Sequence, residues 1–156
     1  MSDTNGCISR REFCAGACQI ASGVTLATFF SACGGGPSSP DGMGSPLGVL
    51  AGRFANSRVD VTIAGSALAD VGGAALVEST AGVFLLARTS ASTFTAVDAV
   101  CTHEGCTVNS ADGETYVCPC HGSRYNRSGQ VLAGPARAAL RQYGTTFAND
   151  VVTIAL

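Results

Sequence analysis

The chemistry of this chain is concentrated in two short stretches, CTHEGC at residues 101–106 and CPCHGS at residues 118–123. Together they contain both histidines of the chain and four of its eight cysteines. Thiolate and imidazole groups are side-chain ligands of transition metals. The pattern therefore predicts a metal centre that is held between two loops.

Each stretch offers one Cys–His pair, Cys101 with His103 and Cys118 with His121. Two thiolates and two imidazoles could hold one tetrahedral zinc ion, or a two-iron cluster with a sulfur-ligated end and a nitrogen-ligated end. A zinc ion would use these four side chains and leave the second cysteine of each stretch without a role. Because one cysteine remains on each stretch, the even division favours the cluster.

Both stretches resemble the two cluster-binding loops of Rieske [2Fe–2S] proteins, and the resemblance extends to residues that are neither cysteine nor histidine. These flanking residues are Thr102, Gly105, Pro119, Gly122 and Ser123. It implies that the first cysteine and the histidine of each loop bind the [2Fe–2S] cluster, with both sulfurs on one iron and both nitrogens on the other. The implied ligands are Cys101, Cys118, His103 and His121.

The same resemblance gives roles to four more residues near the cluster. It implies a disulfide between Cys106 and Cys120 that ties the two loops together. Ser123 and Tyr125 stand where high-potential members of the family donate hydroxyl hydrogen bonds to cluster or ligand sulfur. Such donors stabilise the reduced cluster and raise its potential. The segment 134–136, Gly-Pro-Ala, is similar to the proline-containing loop that covers the cluster.

Residues 47–156 read as one mostly β domain, because short apolar or β-branched runs alternate with turn signals. The expected strands cover residues 59–63, 74–77, 83–87, 94–97, 116–118 and 151–154. The expected turns lie at Ala81-Gly82, Asp112-Gly113, Ser128-Gly129 and Asn149-Asp150. This spacing predicts an all-β fold, a small antiparallel barrel or sandwich. The resemblance adds a smaller subdomain that grips the cluster.

The N-terminal 33 residues resemble an export segment. Residues 9–13, Ser-Arg-Arg-Glu-Phe, are similar to a twin-arginine signal, and a mildly apolar run follows from Ala15 to Ala32. The run ends at Cys33, which a lipoprotein processing step would acylate. The alternatives are an uncleaved membrane anchor and simple cleavage of the signal. Residues 34–46, rich in Gly, Ser and Pro, are expected to form a flexible linker.

Composition limits the partners of the chain. The net charge is −2, lysine is absent, and the nine arginines are scattered, so no basic stripe for nucleic acid exists. Both histidines are assigned as ligands, which leaves no nucleophile–base pair for hydrolysis. Whether the chain is itself an enzyme or an electron-transfer protein without a substrate pocket stays open.

The expected function is one-electron transfer on the outer face of the bacterial cytoplasmic membrane or in the periplasm. In one interpretation the chain is a membrane-tethered exported carrier between an oxidoreductase and a cytochrome c. In the other it is the Rieske subunit of a quinol:cytochrome c oxidoreductase, in contact with cytochrome b. Glu104 favours the carrier, because quinol-oxidising relatives carry a bulky apolar residue there and a carboxylate disfavours an apolar dock. A cytoplasmic ring-hydroxylase ferredoxin fits less well, since that class usually lacks the disulfide pair.

Overall fold

The computed structural model describes residues 43–156, and its regular structure within that range is almost entirely β. The strands of the N-terminal half are β1 (Ser45–Pro46), β2 (Gly48–Ala51), β3 (Arg53–Ala55), β4 (Arg58–Thr62), β5 (Ala74–Ser79), β6 (Gly82–Arg88) and β7 (Phe94–Asp98). Those of the C-terminal half are β8 (Ser110–Asp112), β9 (Thr115–Val117), β10 (Arg124–Tyr125), β11 (Val131–Ala133), β12 (Gln142–Ala148) and β13 (Val151–Ala155). A short 3-10 turn covers Ala67–Ala69.

Eight of these strands form one nearly closed barrel sheet in the order β2-β5-β6-β7-β12-β13-β4-β3. Its two edge strands, β2 and β3, are consecutive in the chain and are separated only by Gly52. The Gly52 amide donates to the carbonyl of Glu78 at 2.7 Å, and a Cβ at this position would lie 2.5 Å from Cγ1 of Val59. Glycine thus lets the chain cross between the two edges where a larger residue would collide with the core.

Strands β5, β6 and β7 bury both of their faces. In β5, Ala75 and Val77 point into the barrel core, while Ala74 and Leu76 join a second core under the other sheet. Because side chains alternate between the faces of a strand, two buried faces require a continuous apolar run. This is why β5 contains the continuous apolar run AALV and β6 the run VFLLA, and neither alternates between apolar and polar residues.

The second sheet has five short strands in the order β1-β8-β9-β10-β11. Apart from β1, it is built from the chain between β7 and β12, which are hydrogen-bonded neighbours in the barrel. The chain thus leaves the barrel at the end of β7 and re-enters it at the neighbouring strand β12. Both stretches with Cys and His lie in this insertion, the first between β7 and β8 and the second between β9 and β10.

The structure confirms the all-β prediction and each of the six expected strands, with differences of one or two residues at the ends. It also forms a strand from Ser45–Pro46, the last two residues of the predicted linker, which pair with Ser110 and Ala111. The regular fold therefore begins before Leu47. Strand β12 was not predicted. Its side chains alternate between exposed and half-buried positions, but with Gly144 and two threonines in the strand this alternation does not appear as an apolar–polar pattern in the sequence.

Candidate metal centre

Two loops at one end of the five-stranded sheet have the same backbone design. In the first, the Cys101 amide donates to the carbonyl of Cys106 at 2.8 Å, and the Gly105 amide donates to the carbonyl of Cys101 at 2.9 Å. In the second, Cys118 and Ser123 form the equivalent bond at 2.8 Å, and the Gly122 amide donates to the Cys118 carbonyl at 3.0 Å. Each loop is therefore a compact turn that begins at a cysteine and presents its histidine.

A disulfide joins the two loops. It links Cys106 to Cys120, whose Cα atoms lie 6.5 Å apart and which are 14 positions apart in sequence. This confirms the predicted pairing of the second cysteine of each loop. In the chain-entropy model, a closed loop of this length restricts the unfolded chain by about 3 kcal/mol.

The first cysteine of each loop carries a free thiol in the interior. Cys101 is 3% exposed and Cys118 is 1% exposed. Burial raises the pKa of the Cys101 thiol, but hydrogen bonds from Tyr125, the backbone of His103, Cys118 and Ser123 together hold that pKa below its usual value. Burial and the neighbouring Cys101 thiol raise the pKa of Cys118. The two thiols thus influence each other's ionisation, as expected of neighbouring groups in one buried site.

The Tyr125 hydroxyl supplies one of these hydrogen bonds. Its oxygen lies 3.3 Å from Sγ of Cys101 and 3.1 Å from the hydroxyl of Thr102. Burial, followed by contact with Cys101, raises the pKa of Tyr125. The phenol therefore keeps its proton and can donate it to sulfur. This is the contact that the sequence predicts between Tyr125 and a ligand sulfur.

The two histidines lie side by side, nearer to solvent than the thiols. Their rings pack edge to face with centroids 5.0 Å apart, and the side chains of His103 and His121 are 26% and 48% exposed. Nδ1 of His103 is buried without a hydrogen-bond partner in the part of the chain that the structure describes. Buried polar atoms are nearly always satisfied, so an orphaned nitrogen here is expected if it faces a ligand.

The donor set therefore fits a cluster that bridges two thiolates and two imidazoles. Buried sulfurs lie on the inner side, partly exposed rings lie on the outer side, and Nδ1 of His103 has no hydrogen-bond partner among residues 43–156. The division into a sulfur-ligated and a nitrogen-ligated end stays a prediction, with which this burial is compatible.

Ser123 and the segment 134–138, called the third loop below, close one side of this site. The Ser123 side chain is completely buried, and its hydroxyl accepts a hydrogen bond from the Ala136 amide at 3.2 Å. Gly134 has a φ of +89°, and a Cβ there would lie 2.6 Å from the Cα of Ser123. The segment 134–136 thus packs directly against the second loop, as the resemblance implies for the covering loop.

Glu104, the residue on which the partner interpretation depends, lies close to both imidazoles. Its carboxylate oxygens are 3.9 Å from Nε2 of His103 and 3.6 Å from Nδ1 of His121. The side chain is 61% exposed, so the tip that carries the histidines presents a carboxylate to solvent.

Sequence reasoning missed two features of the site. The Thr102 hydroxyl donates to the carbonyl of Ala138 at 2.6 Å and so ties the first loop to the third. Arg137 lines an open groove beside His103. Thr102 belongs to the motif, but no local pattern indicates a contact across 36 positions.

The predicted export signal, the processing site at Cys33 and most of the linker lie outside the described residues. Within residues 43–156, no helix is long and apolar enough to cross a membrane.

The family model of the Rieske [2Fe-2S] domain matches residues 60–144 of this chain. The cytochrome b6-f complex iron-sulfur subunit of Chlorobaculum thiosulfatiphilum is 46% identical over 61 residues, which cover 38% of this chain and 34% of that protein. The chain thus spans about a third of that relative's length.

Two solved structures are also similar. The plasma membrane Rieske protein from Synechocystis PCC 6803 is 29% identical, with a TM-score of 0.49 over 53% of this chain and 86% of that one. A chain in the complex of oxygenase and ferredoxin of carbazole 1,9a-dioxygenase is 22% identical, with a TM-score of 0.53 over 65% of this chain and 94% of that one. The second likeness concerns the fold alone.

Proposed function

This chain belongs to the Rieske [2Fe–2S] domain family, and we propose that it works as an exported, membrane-tethered carrier of single electrons. The bound [2Fe–2S] cluster supplies one-electron redox chemistry at a potential that its imidazole ligands raise. The protein supplies the ligands, the hydrogen bonds to sulfur and the surface at which a partner exchanges the electron. The observation that carries the proposal is the pairing of two buried free thiols with two partly exposed imidazoles across one disulfide.

The proposed ligands are Cys101 and Cys118 for one iron and His103 and His121 for the other. Their burial supports this division, because the thiols are enclosed while the imidazole edges reach solvent. Because the imidazoles lie nearer to solvent than the thiols do, an electron would enter and leave the protein at the imidazoles. The roles of the remaining side chains follow from their contacts: Tyr125 donates to Cys101, and Ser123 is held beside the site by Ala136.

Metal and sulfide analysis of the purified protein tests this assignment. We expect two irons and two acid-labile sulfides for each chain, together with visible absorption and an electron paramagnetic resonance signal of the reduced cluster. Cys101→Ser and His121→Ala should each abolish these signals, whereas Ser79→Ala, in strand β5 of the barrel, should keep them. One zinc ion and no sulfide in the wild-type protein would refute the proposal.

The choice of a carrier over a complex subunit is supported by Glu104. A carboxylate that touches both imidazoles has to lose hydration when an apolar membrane-protein surface covers the tip, and that desolvation is unfavourable. The predicted twin-arginine signal and the lipid site at Cys33 would place such a carrier outside the cytoplasmic membrane. Mass spectrometry of the mature N-terminus would distinguish an acylated Cys33 from an uncleaved anchor or simple cleavage.

A second candidate is favoured by relatives such as the protein from Chlorobaculum thiosulfatiphilum, which is named as an iron-sulfur subunit of the cytochrome b6-f complex. In that role the histidine tip would accept an electron from quinol beside cytochrome b. Affinity purification of the tagged full chain from solubilised membranes of its own host would separate the two functions. Stoichiometric b-type haem in the purified material would establish the complex subunit, and its absence together with a cytochrome c or oxidoreductase would establish the carrier.

A further inference from the structure

Two features of opposite charge adjoin His103. The first is the Glu104 carboxylate, which contacts both imidazoles and is mostly exposed. The second is an open groove of about 440 Å³ between the first and third loops, whose lining includes Arg137 but not Glu104. Its lining consists of Thr102, His103, Gly134, Pro135 and Arg137. A ligand in this groove would touch the side chain of a proposed cluster ligand and a guanidinium at the same time.

Arg137 is free to bind an outside group. Among residues 43–156, its side chain has no ion pair, hydrogen bond or aromatic ring partner, and it is exposed. Arg88, Arg127 and Arg141 each lie over an aromatic ring, whereas Arg53 and Arg58 are exposed like Arg137 but lie on barrel strands and do not line this groove. A guanidinium presents a rigid fork of donors that matches a carboxylate in two-point contact.

The groove is also held in shape by contacts that do not involve Arg137. The Thr102 hydroxyl binds the carbonyl of Ala138, and Gly134 packs against the backbone of Ser123. Both walls are therefore anchored to the loops that carry the proposed ligands. A group that enters the groove finds a preformed opening, so little ordering has to accompany its binding.

We propose that this groove seats an anionic group of a protein electron-transfer partner, while Glu104 contacts a cationic group of the same partner. The inference rests on the proposed function and specifies the partner: a protein whose contact surface is polar and carries both signs of charge. Two contacts of opposite charge beside His103 fix the orientation of such a partner, because the reversed pose would bring like charges together. An apolar face would leave Glu104 and Arg137 unpaired on docking, which is unfavourable.

The experiment uses the purified cluster-loaded protein and two small oxidants of opposite charge, hexacyanoferrate(III) and tris(phenanthroline)cobalt(III). Stopped-flow oxidation of the reduced protein gives a second-order rate constant for each. We expect Arg137→Gln to slow the anionic oxidant about three- to tenfold and to leave the cationic one unchanged or faster. Glu104→Gln should slow the cationic oxidant by a similar factor and accelerate the anionic one.

Matched controls change the net charge by the same amount elsewhere. Arg53→Gln, in β3, and Glu78→Gln, in β5, lie in the barrel sheet and should change either rate less than twofold, because salt screens distant charges. Arg137→Lys keeps the charge and should retain most of the anionic rate. Midpoint potential and the cluster spectrum are measured for every variant, so that a change in driving force is separated from a change in binding.

A redox-inert anion tests directly whether the groove beside Arg137 binds anions. Hexacyanochromate(III) should slow the oxidation of the wild-type protein by hexacyanoferrate(III), and this inhibition should disappear in Arg137→Gln. If Arg137→Gln changes the anionic rate no more than Arg53→Gln does, the groove does not seat an anion. A further assay measures the rate at which decylubiquinol reduces the oxidised protein. If Glu104→Leu accelerates this reduction and Arg137→Gln leaves it unchanged, the partner is apolar and the inference is overturned. A wild-type protein without the cluster spectrum would instead refute the proposed function.

Discussion

The barrel and the five-stranded sheet are stabilised in different ways. The barrel core is built from aliphatic and aromatic side chains such as Val59, Leu86 and Ile154, which lie on strands of five to seven residues. The smaller sheet has strands of two or three residues, and its interior includes thiols, hydroxyls and phenols. Its loops are held by a disulfide and by side-chain hydrogen bonds that connect distant segments.

This difference indicates a division of labour within one domain. Hydrophobic burial scales with apolar area, and the small sheet obtains much of that area from barrel side chains such as Leu76, Leu85 and Val97. The cross-link and the polar contacts also fix the geometry of the loops, and geometry is what a metal centre requires. We therefore expect the barrel to fold without the cluster and the two loops to depend on it.

The largest effect is expected when the cluster is lost. In Cys101→Ser, visible absorption and electron transfer should disappear, while amides of β5–β7 should stay protected from hydrogen exchange and those of residues 101–106 and 118–123 should exchange quickly. The reason is that β5–β7 are buried on both faces by side chains that do not bind the metal. Heteronuclear NMR exchange spectra of the variant and the wild-type protein measure this contrast. Complete loss of protection throughout the barrel would show that the two regions fold as one unit.

The reciprocal change weakens the barrel core. Leu86→Ala removes a side chain with 0% exposure, and we expect the free energy of unfolding to fall by about 3 kcal/mol. At temperatures where the variant is still folded, its cluster spectrum and midpoint potential should equal those of the wild type. Urea unfolding followed by far-ultraviolet circular dichroism gives the stability. Val49→Ala, on an exposed position of β2, is the control and should cost far less.

Removal of the disulfide tests the cross-linked region. The double variant Cys106→Ala and Cys120→Ala should lose up to about 3 kcal/mol of stability, less where the bound cluster already restrains the same loops. The loss should appear mainly as faster release of iron and sulfide, because the bond joins the loops and not the barrel strands. The rate of bleaching in the presence of a chelator measures it. A variant that bleaches at the wild-type rate would show that the disulfide does not hold the cluster geometry.

Several parts of this architecture could be predicted from the sequence, for reasons that the structure makes clear. Strands β5 and β6 stand out because two buried faces require an uninterrupted apolar run. The disulfide pairing followed from the resemblance to Rieske loops, which implies a bond between the second cysteines of the two motifs, and the structure has this bond. Asn149 and Asp150 mark a tight turn because these residue types tolerate the positive φ values of 52° and 58° that the turn requires.

Other parts depend on contacts that no local pattern encodes. Strands β10 and β11 have two and three residues, too few for a period to be visible. The bond from Thr102 to Ala138 and the position of Arg137 beside His103 arise only when the third loop folds back on the first. The grouping of the cysteine and histidine side chains was thus predictable from their chemistry, whereas the groove beside His103 was not.

The smallest expected effect is a shift in midpoint potential when the hydrogen bond between the Tyr125 hydroxyl and Sγ of Cys101 is removed. Tyr125→Phe removes a donor 3.3 Å from Sγ of Cys101, and a hydrogen bond of about 1 kcal/mol corresponds to about 40 mV for a one-electron couple. The midpoint potential should fall, because the donor stabilises the extra negative charge of the reduced cluster. Ser123→Ala should shift it in the same direction. Tyr143→Phe removes a phenol that packs on Phe84 in the barrel and should leave the potential unchanged. Protein-film voltammetry of the three variants makes the measurement. An unchanged potential in both Tyr125→Phe and Ser123→Ala would mean that the polar interior positions the loops without tuning the metal.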